Sequence, residues 1–301
     1  MWNATLFGFT VYNIFWYFCV YAVLGWVVEV VFCTITTGKF VNRGFLNGPV
    51  CPIYGFGMVI ILLCLTPLQD NLLFLFIGAV LLTSLLELVT GFVLEKLFHT
   101  HWWDYSDAPF NLGGYICLSF SIMWGIGAVV VVRLLHPLIA AMVGFMPVMV
   151  GQVLAVPILL LFLADCIVTV NGIAKFTSEL KELERLTTAM HQKTDVLAEN
   201  IGDTALSLAG KGNRVANRLG DNLVGLREKV TDIAFEVDEN LDELKAKYAA
   251  LQEKTATTRK RLLKAYPAMK HVHYPQALAD LKEKGEKLIA QKKASRDKKE
   301  K

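Results

Sequence analysis

Three carboxylates stand where an apolar sequence should not keep them: Glu29, Glu87 and Glu95. Each lies in a run apolar enough to cross a bilayer. An ionised acid is costly there, so it must be protonated, paired or turned toward water. Tyr21, Gly25, Glu29 and Cys33 recur at every fourth position and form one stripe of a helix; Glu87, Gly91 and Glu95 form a second. A glycine one turn from each acid lets another helix backbone approach closely. Glu87 falls near the middle of its run, Glu29 and Glu95 nearer an end. Two readings are open for all three: a neutral acid bonded to a neighbouring helix, or a group lining a substrate or proton path.

Two connecting segments carry further chemistry. The first, Gly44 to Gly57, places four glycines and two prolines around Asn47 and Tyr54. That density imposes a shaped, non-helical backbone, which is tolerated at membrane depth only where protein or water satisfies its polar groups. The second, His99 to Phe120, contains Trp102, Trp103 and Tyr105, which read as an interfacial aromatic belt. Asp104, Ser106, Asp107 and Asn111 in the same segment exceed what a belt requires. The substrate- or ion-pathway candidates, expected to converge on one carboxylate-lined polar site near the cytoplasmic side, are therefore Glu29, Glu87, Glu95, Asn47, Tyr54, Trp103, Asp104, Tyr105 and Asn111.

Sharper catalytic motifs are absent. No GxxxxGK[ST] loop exists, so the chain carries no P-loop ATPase of its own. The serines lack a nucleophile-elbow context, and His99 and His101 lack a third metal ligand nearby. All six cysteines fall in the apolar half without Cys-x-x-Cys spacing and read as small packing residues. No catalytic residue, metal or cofactor is expected.

The elements that position these residues follow from charge distribution. Up to Val170 the chain holds four basic and seven acidic residues; the other 26 Lys/Arg and 20 Asp/Glu lie beyond Asn171. Two physical environments are implied, an all-α membrane bundle over 1–170 and a charged tail. The tail's net positive charge suits anionic lipid better than nucleic acid. Five spans are predicted, at about 11–36, 52–69, 72–98, 114–135 and 145–170, and the apolar run from Phe9 is too long for a signal peptide. Pro137 and Pro147 interrupt the stretch between the last two, leaving 136–150 as a loop, a re-entrant piece or a short helix. With five spans and the tail inside, Lys39, Arg43 and Lys96 face the cytoplasm and the N-terminus is outside, as positive-inside charge bias requires.

Within the tail, 171–265 reads as amphipathic or coiled-coil helices. Leu180, Leu183, Met190, Leu197 and Ile201 recur at near-heptad intervals, and a cleaner series runs from Leu223 through Leu226, Val230, Ile233, Val237, Leu241, Leu244 and Tyr248 to Leu251. These helices either fold back on one another or pair with another copy. Residues 266–301 read as a basic, flexible end.

The runs RGFLNGPVCPIYGFG from Arg43 and WDYSDAPFNLGGYICLSFSIMWG from Trp103, with Gly25–Glu29, Glu87 and Thr90–Gly91, resemble the bacterial family labelled putative ABC-transporter type IV, or CmpB-like permease. The resemblance covers the first half of the chain. It implies a permease subunit of the cell membrane and a separate ATPase partner, but no substrate. Two other readings stand beside it: a membrane scaffold or regulator acting through its tail, and an inner-leaflet lipid-processing enzyme using Asp104 and Asp107 to hold a divalent cation.

Overall fold

A computed structural model describes residues 2–211 and 240–297, and the chain divides into two units. The first comprises Met1–Lys175 and Lys260–His273; the second holds Phe176–Arg259 and Tyr274–Lys301.

The first unit is a helical bundle. A short hairpin, β1 (Thr5–Leu6) with β2 (Phe9–Thr10), leads into α1 (Val11–Thr37), whose N-cap Thr10 accepts the Asn13 N–H at 3.1 Å. Gly38 ends α1 in the left-handed region. Helix α2 (Pro52–Leu65) starts on Pro52, whose missing N–H costs nothing at a helix start, and finishes in a 3-10 turn over Thr66–Leu68. Helix α3 (Leu72–Phe98) is capped by Asn71, which accepts the N–H groups of Leu73 and Phe74. Strands β3 (Thr100–His101), β4 (Asn111–Leu112) and β5 (Ile116–Cys117) lie in the next connection, with β4 and β5 antiparallel.

Helix α4 (Leu118–Val130) passes through a π-helical turn, Val131–Leu135, into α5 (His136–Phe145). Pro137 has no N–H to offer the Arg133 carbonyl one turn back, and the widened turn absorbs that loss. The stretch left open by the sequence is therefore helix up to Phe145, and only Met146–Pro147 breaks it before α6 (Val148–Lys211). Among the described residues, four helices are long and apolar enough to cross a membrane: Val11–Thr37, Leu72–Phe98, Leu118–Phe145 and Val148–Val196; Pro52–Leu68 is a shorter apolar helix. Their outer faces are covered in large apolar side chains, as lipid-facing helices require. The buried core is aromatic on α1 (Tyr12, Tyr17, Tyr21) and aliphatic on α2, α3 and α5.

The second unit is helical over 176–211, 240–258 and 275–297. Leu180 and Leu183 of α6 are fully buried, as are Leu281 and Ala277 of α9 (Pro275–Asp297). Helix α7, described over 240–258, joins them. Tyr248 donates to Asp280 at 2.9 Å, and Arg259 grips Glu179 through Nε and Nη2 at 3.0 and 3.1 Å. Leu223 to Val237 of the heptad series, and the side chains of Leu197 and Ile201, lie outside the described residues. Within 266–297 lie strand β6 (Lys270–His271) and α9, and the apolar residues Met269, Ala277, Leu278 and Leu281 are buried.

Candidate functional site

Each embedded glutamate is met by a tyrosine from a neighbouring segment. On α1, Gly25 makes room for Tyr54: a Cβ at position 25 would stand 2.2 Å from Tyr54 Cγ. The phenol lies across that gap and donates to Glu29 Oε1 at 2.5 Å, while Arg43 Nε is 3.3 Å from Glu29 Oε2. The stripe Gly25–Glu29 is thus a docking groove for the first turn of α2. Gly25→Ala is expected to push Tyr54 off Glu29 at a cost of about 1–3 kcal/mol, the usual range for overpacking. A lower thermal midpoint of the detergent-purified chain, with unchanged membrane insertion, checks this.

On α3, Tyr105 donates to Glu87 Oε1 at 3.1 Å, and Tyr115 donates to Glu95 Oε2. His101 Nε2 lies 3.8 Å from the same Glu95 oxygen. Burial first, and then the charge of Glu87, push the Tyr105 phenol up; the bond to Glu95 pushes Tyr115 up to about 12. Both phenols are therefore donors at any physiological pH. Glu87 Oε2 is buried with no hydrogen-bond partner among the described residues.

The segment carrying these tyrosines is braced from within. Asp104 Oδ1 accepts the Ser106 N–H and hydroxyl at 2.9 and 2.5 Å, and Asn111 Nδ2 donates to the Ser106 and Ala108 carbonyls at 3.1 and 2.8 Å. Gly114 adopts φ +74° with Asp104 and Ser106 packed where a side chain would stand, so both conformation and space demand glycine. Trp103 Nε1 donates to the Tyr115 carbonyl at 2.8 Å. Trp102 is buried between Phe45 and Tyr266. The predicted aromatic belt is thus largely loop packing, because these rings fill space between connecting segments.

The other connection is locked onto α6. Asp165 accepts the backbone N–H groups of Asn47 and Gly48 at 3.1 and 2.7 Å and Asn47 Nδ2 at 3.0 Å. Asn47 Nδ2 is also 3.0 Å from Thr169 Oγ1.

A strap from far along the chain covers both connections. Helix α8 (Lys260–Ala265) brings Arg261 to the carbonyls of Gly44, Phe45 and Leu46 at 2.9, 3.5 and 3.2 Å. Tyr266 donates to the Arg43 carbonyl at 3.3 Å. Strand β6 (Lys270–His271) pairs antiparallel with β3, and Lys270 Nζ meets Asp104 Oδ2 at 2.5 Å. That contact, followed by Ser106, holds the Asp104 carboxyl far below the usual carboxylate range.

The candidates named from sequence therefore fall into distinct sets. Glu29 joins Tyr54, Glu87 joins Tyr105, Asn47 joins Asp165, and Asp104, Trp103 and Asn111 shape the loop between. Glu95 pairs with Tyr115, which sequence reasoning passed over although it lies inside the singled-out segment. Arg261, Tyr266 and Lys270 were also missed. The one signal for them is a cluster of apolar residues, Leu262 to Met269, that does not continue the heptad spacing.

Long lipid-compatible helices enclosing bonded carboxylates define a helical membrane protein. The chain belongs to the family described as "putative ABC-transporter type IV", whose model matches residues 16–170. No curated protein and no solved structure gave a match.

Proposed function

We propose that this chain is the membrane subunit of a transporter, working with a separate ATPase, and that Glu87 exchanges a proton or cation at the strap-bearing end of its bundle. The observation that carries the reading is the bonding of Glu87. Among the described residues its one hydrogen bond is to a neutral hydroxyl, that of Tyr105, and its second oxygen is buried. Glu29, by contrast, is committed to Arg43. A carboxylate in mid-helix with no cation attached can change its proton without breaking an ion pair. A proton or cation arriving there competes with Tyr105. Freed, Tyr105 loosens the segment that Asp104, Asn111 and the strap hold, so occupancy of Glu87 is tied to loop position.

Orientation follows the same logic. Lys39, Arg43 and Lys96 all sit at this end, which positive-inside bias assigns to the cytoplasm, with the N-terminus outside. An ATPase subunit would meet the bundle there, since the chain has no P-loop.

Glu87→Gln is expected to abolish complementation of a deletion strain at wild-type membrane levels, a loss of about 10²-fold in flux if proton transfer is limiting. Glu87→Asp should retain part of it. Full complementation by Glu87→Gln removes the proposed role, and absence of any P-loop ATPase among proteins co-purified from native membranes removes the partner. A scaffold role for the tail is favoured by the helical assembly of the second unit. It predicts that a chain lacking 176–259, with the strap rejoined by a linker, inserts normally yet loses function.

A further inference from the structure

Arg133 is the charge the bundle leaves unanswered. It lies 15 residues beyond Leu118 and 12 before Phe145 on a 28-residue apolar helix, about 22 and 18 Å from its two ends. Its side chain is exposed, pointing away from the bundle, with no ion pair or hydrogen bond among the described residues. The surface around it is equally outward and wholly apolar: Ile126, Val130, Leu134, Leu138 and Met142 are 49–68% exposed. Helical side chains lean toward the N-terminal end of their helix, which here leads Arg133 toward Leu118, the more distant of the two ends. The position also adjoins the π-helical turn that Pro137 imposes, a widened stretch of the kind found at functional positions.

A guanidinium cannot be deprotonated to escape hydrocarbon, so a mid-helix arginine facing outward calls for a partner carboxylate. Among the described residues up to Val170, a second copy of this chain presents no exposed acid within a helix. Its embedded acids Glu29, Glu87, Glu95 and Asp165 already hold tyrosines, Arg43 or the Asn47 loop, and Asp70 lies in a connecting turn. We infer that the face of α4 and α5 centred on Arg133 is an intramembrane docking surface for a transmembrane helix of a different protein, one bearing an Asp or Glu at matching depth. This inference does not depend on the role proposed for Glu87.

The test is photo-crosslinking of the full chain in native-host membranes, with benzoylphenylalanine at Val130. The expected product is an adduct whose crosslinked peptide is an apolar helix containing a carboxylate. Its yield should fall about tenfold in Arg133→Leu and Arg133→Gln, and persist in Arg133→Lys, at equal membrane levels. Exchanging charges, with Arg133→Glu against a lysine at the partner's acid, should restore it. Adducts to lipid alone, to a second copy of this chain, or to a protein helix lacking an acid overturn the inference. A yield indifferent to Arg133→Leu and Arg133→Gln does the same.

Discussion

Replacing Arg261 with methionine is expected to release the strap from the bundle. Methionine keeps much of the apolar stem but removes the fork that bonds the carbonyls of Gly44, Phe45 and Leu46. Charge-assisted bonds of this kind contribute about 1.5–3 kcal/mol, and carbonyls left buried add to the loss. A total of about 3 kcal/mol corresponds to roughly 10²-fold in the docked-to-free ratio. Hydrogen exchange reads this directly. The Val272 amide, which donates to the His99 carbonyl at 2.8 Å, should exchange faster by that factor, while amides in α3 hold. Arg261→Lys should recover only part, because a point cation cannot span three carbonyls in fixed geometry. Unchanged protection in Arg261→Met would show that β-pairing and Tyr266 suffice to hold the strap.

The reason Arg261 was invisible in the sequence is physical. Its partners are backbone carbonyls more than 200 positions away, and a carbonyl has no residue type to recognise. The bundle was far more legible. Hydrocarbon excludes charge, so the first and third spans could be bounded from composition to within a residue or two of α1 and α3. The stripe logic also worked where a missing side chain had a geometric consequence, as at Gly25 beneath Tyr54. It stopped short at 136–150, because proline in a membrane helix breaks it or merely widens it according to what its neighbours can satisfy. Here His136 donates to the Val131 carbonyl across the π turn and its imidazole Nδ1 meets Tyr21 at 3.0 Å, so the helix continues. The acids illustrate the same boundary. Composition says that Glu29, Glu87 and Glu95 must be answered, but not by whom. The answering groups come from connecting segments whose paths depend on αL glycines and Asx turns.

Those same segments make strap docking sensitive to mild acid. His271, on β6 opposite Thr100, is 2% exposed. Burial, followed by the neighbouring His273 and His99, pushes its imidazole down to about 4. The undocked ring titrates near its ordinary value of about 6.5. The docked state therefore binds fewer protons, and docking strengthens as pH rises. Its contribution is complete above about pH 6.5 and is lost as pH falls toward about 4, a change on the order of 3 kcal/mol. Lowering pH from about 7.5 to 5 should raise strap exchange about 30-fold after correction for intrinsic rates, with α3 amides as internal reference. Lys270 stays charged across this range, and Asp104, which Lys270 holds far below the usual carboxylate range, stays ionised across it too. The two windows are thus separable. His271→Phe should dock more weakly at neutral pH, having lost the bond from the His273 N–H at 3.2 Å, yet show a flat profile between about pH 7.5 and 5. A slope that survives in His271→Phe would assign the effect to His99 or His273 instead.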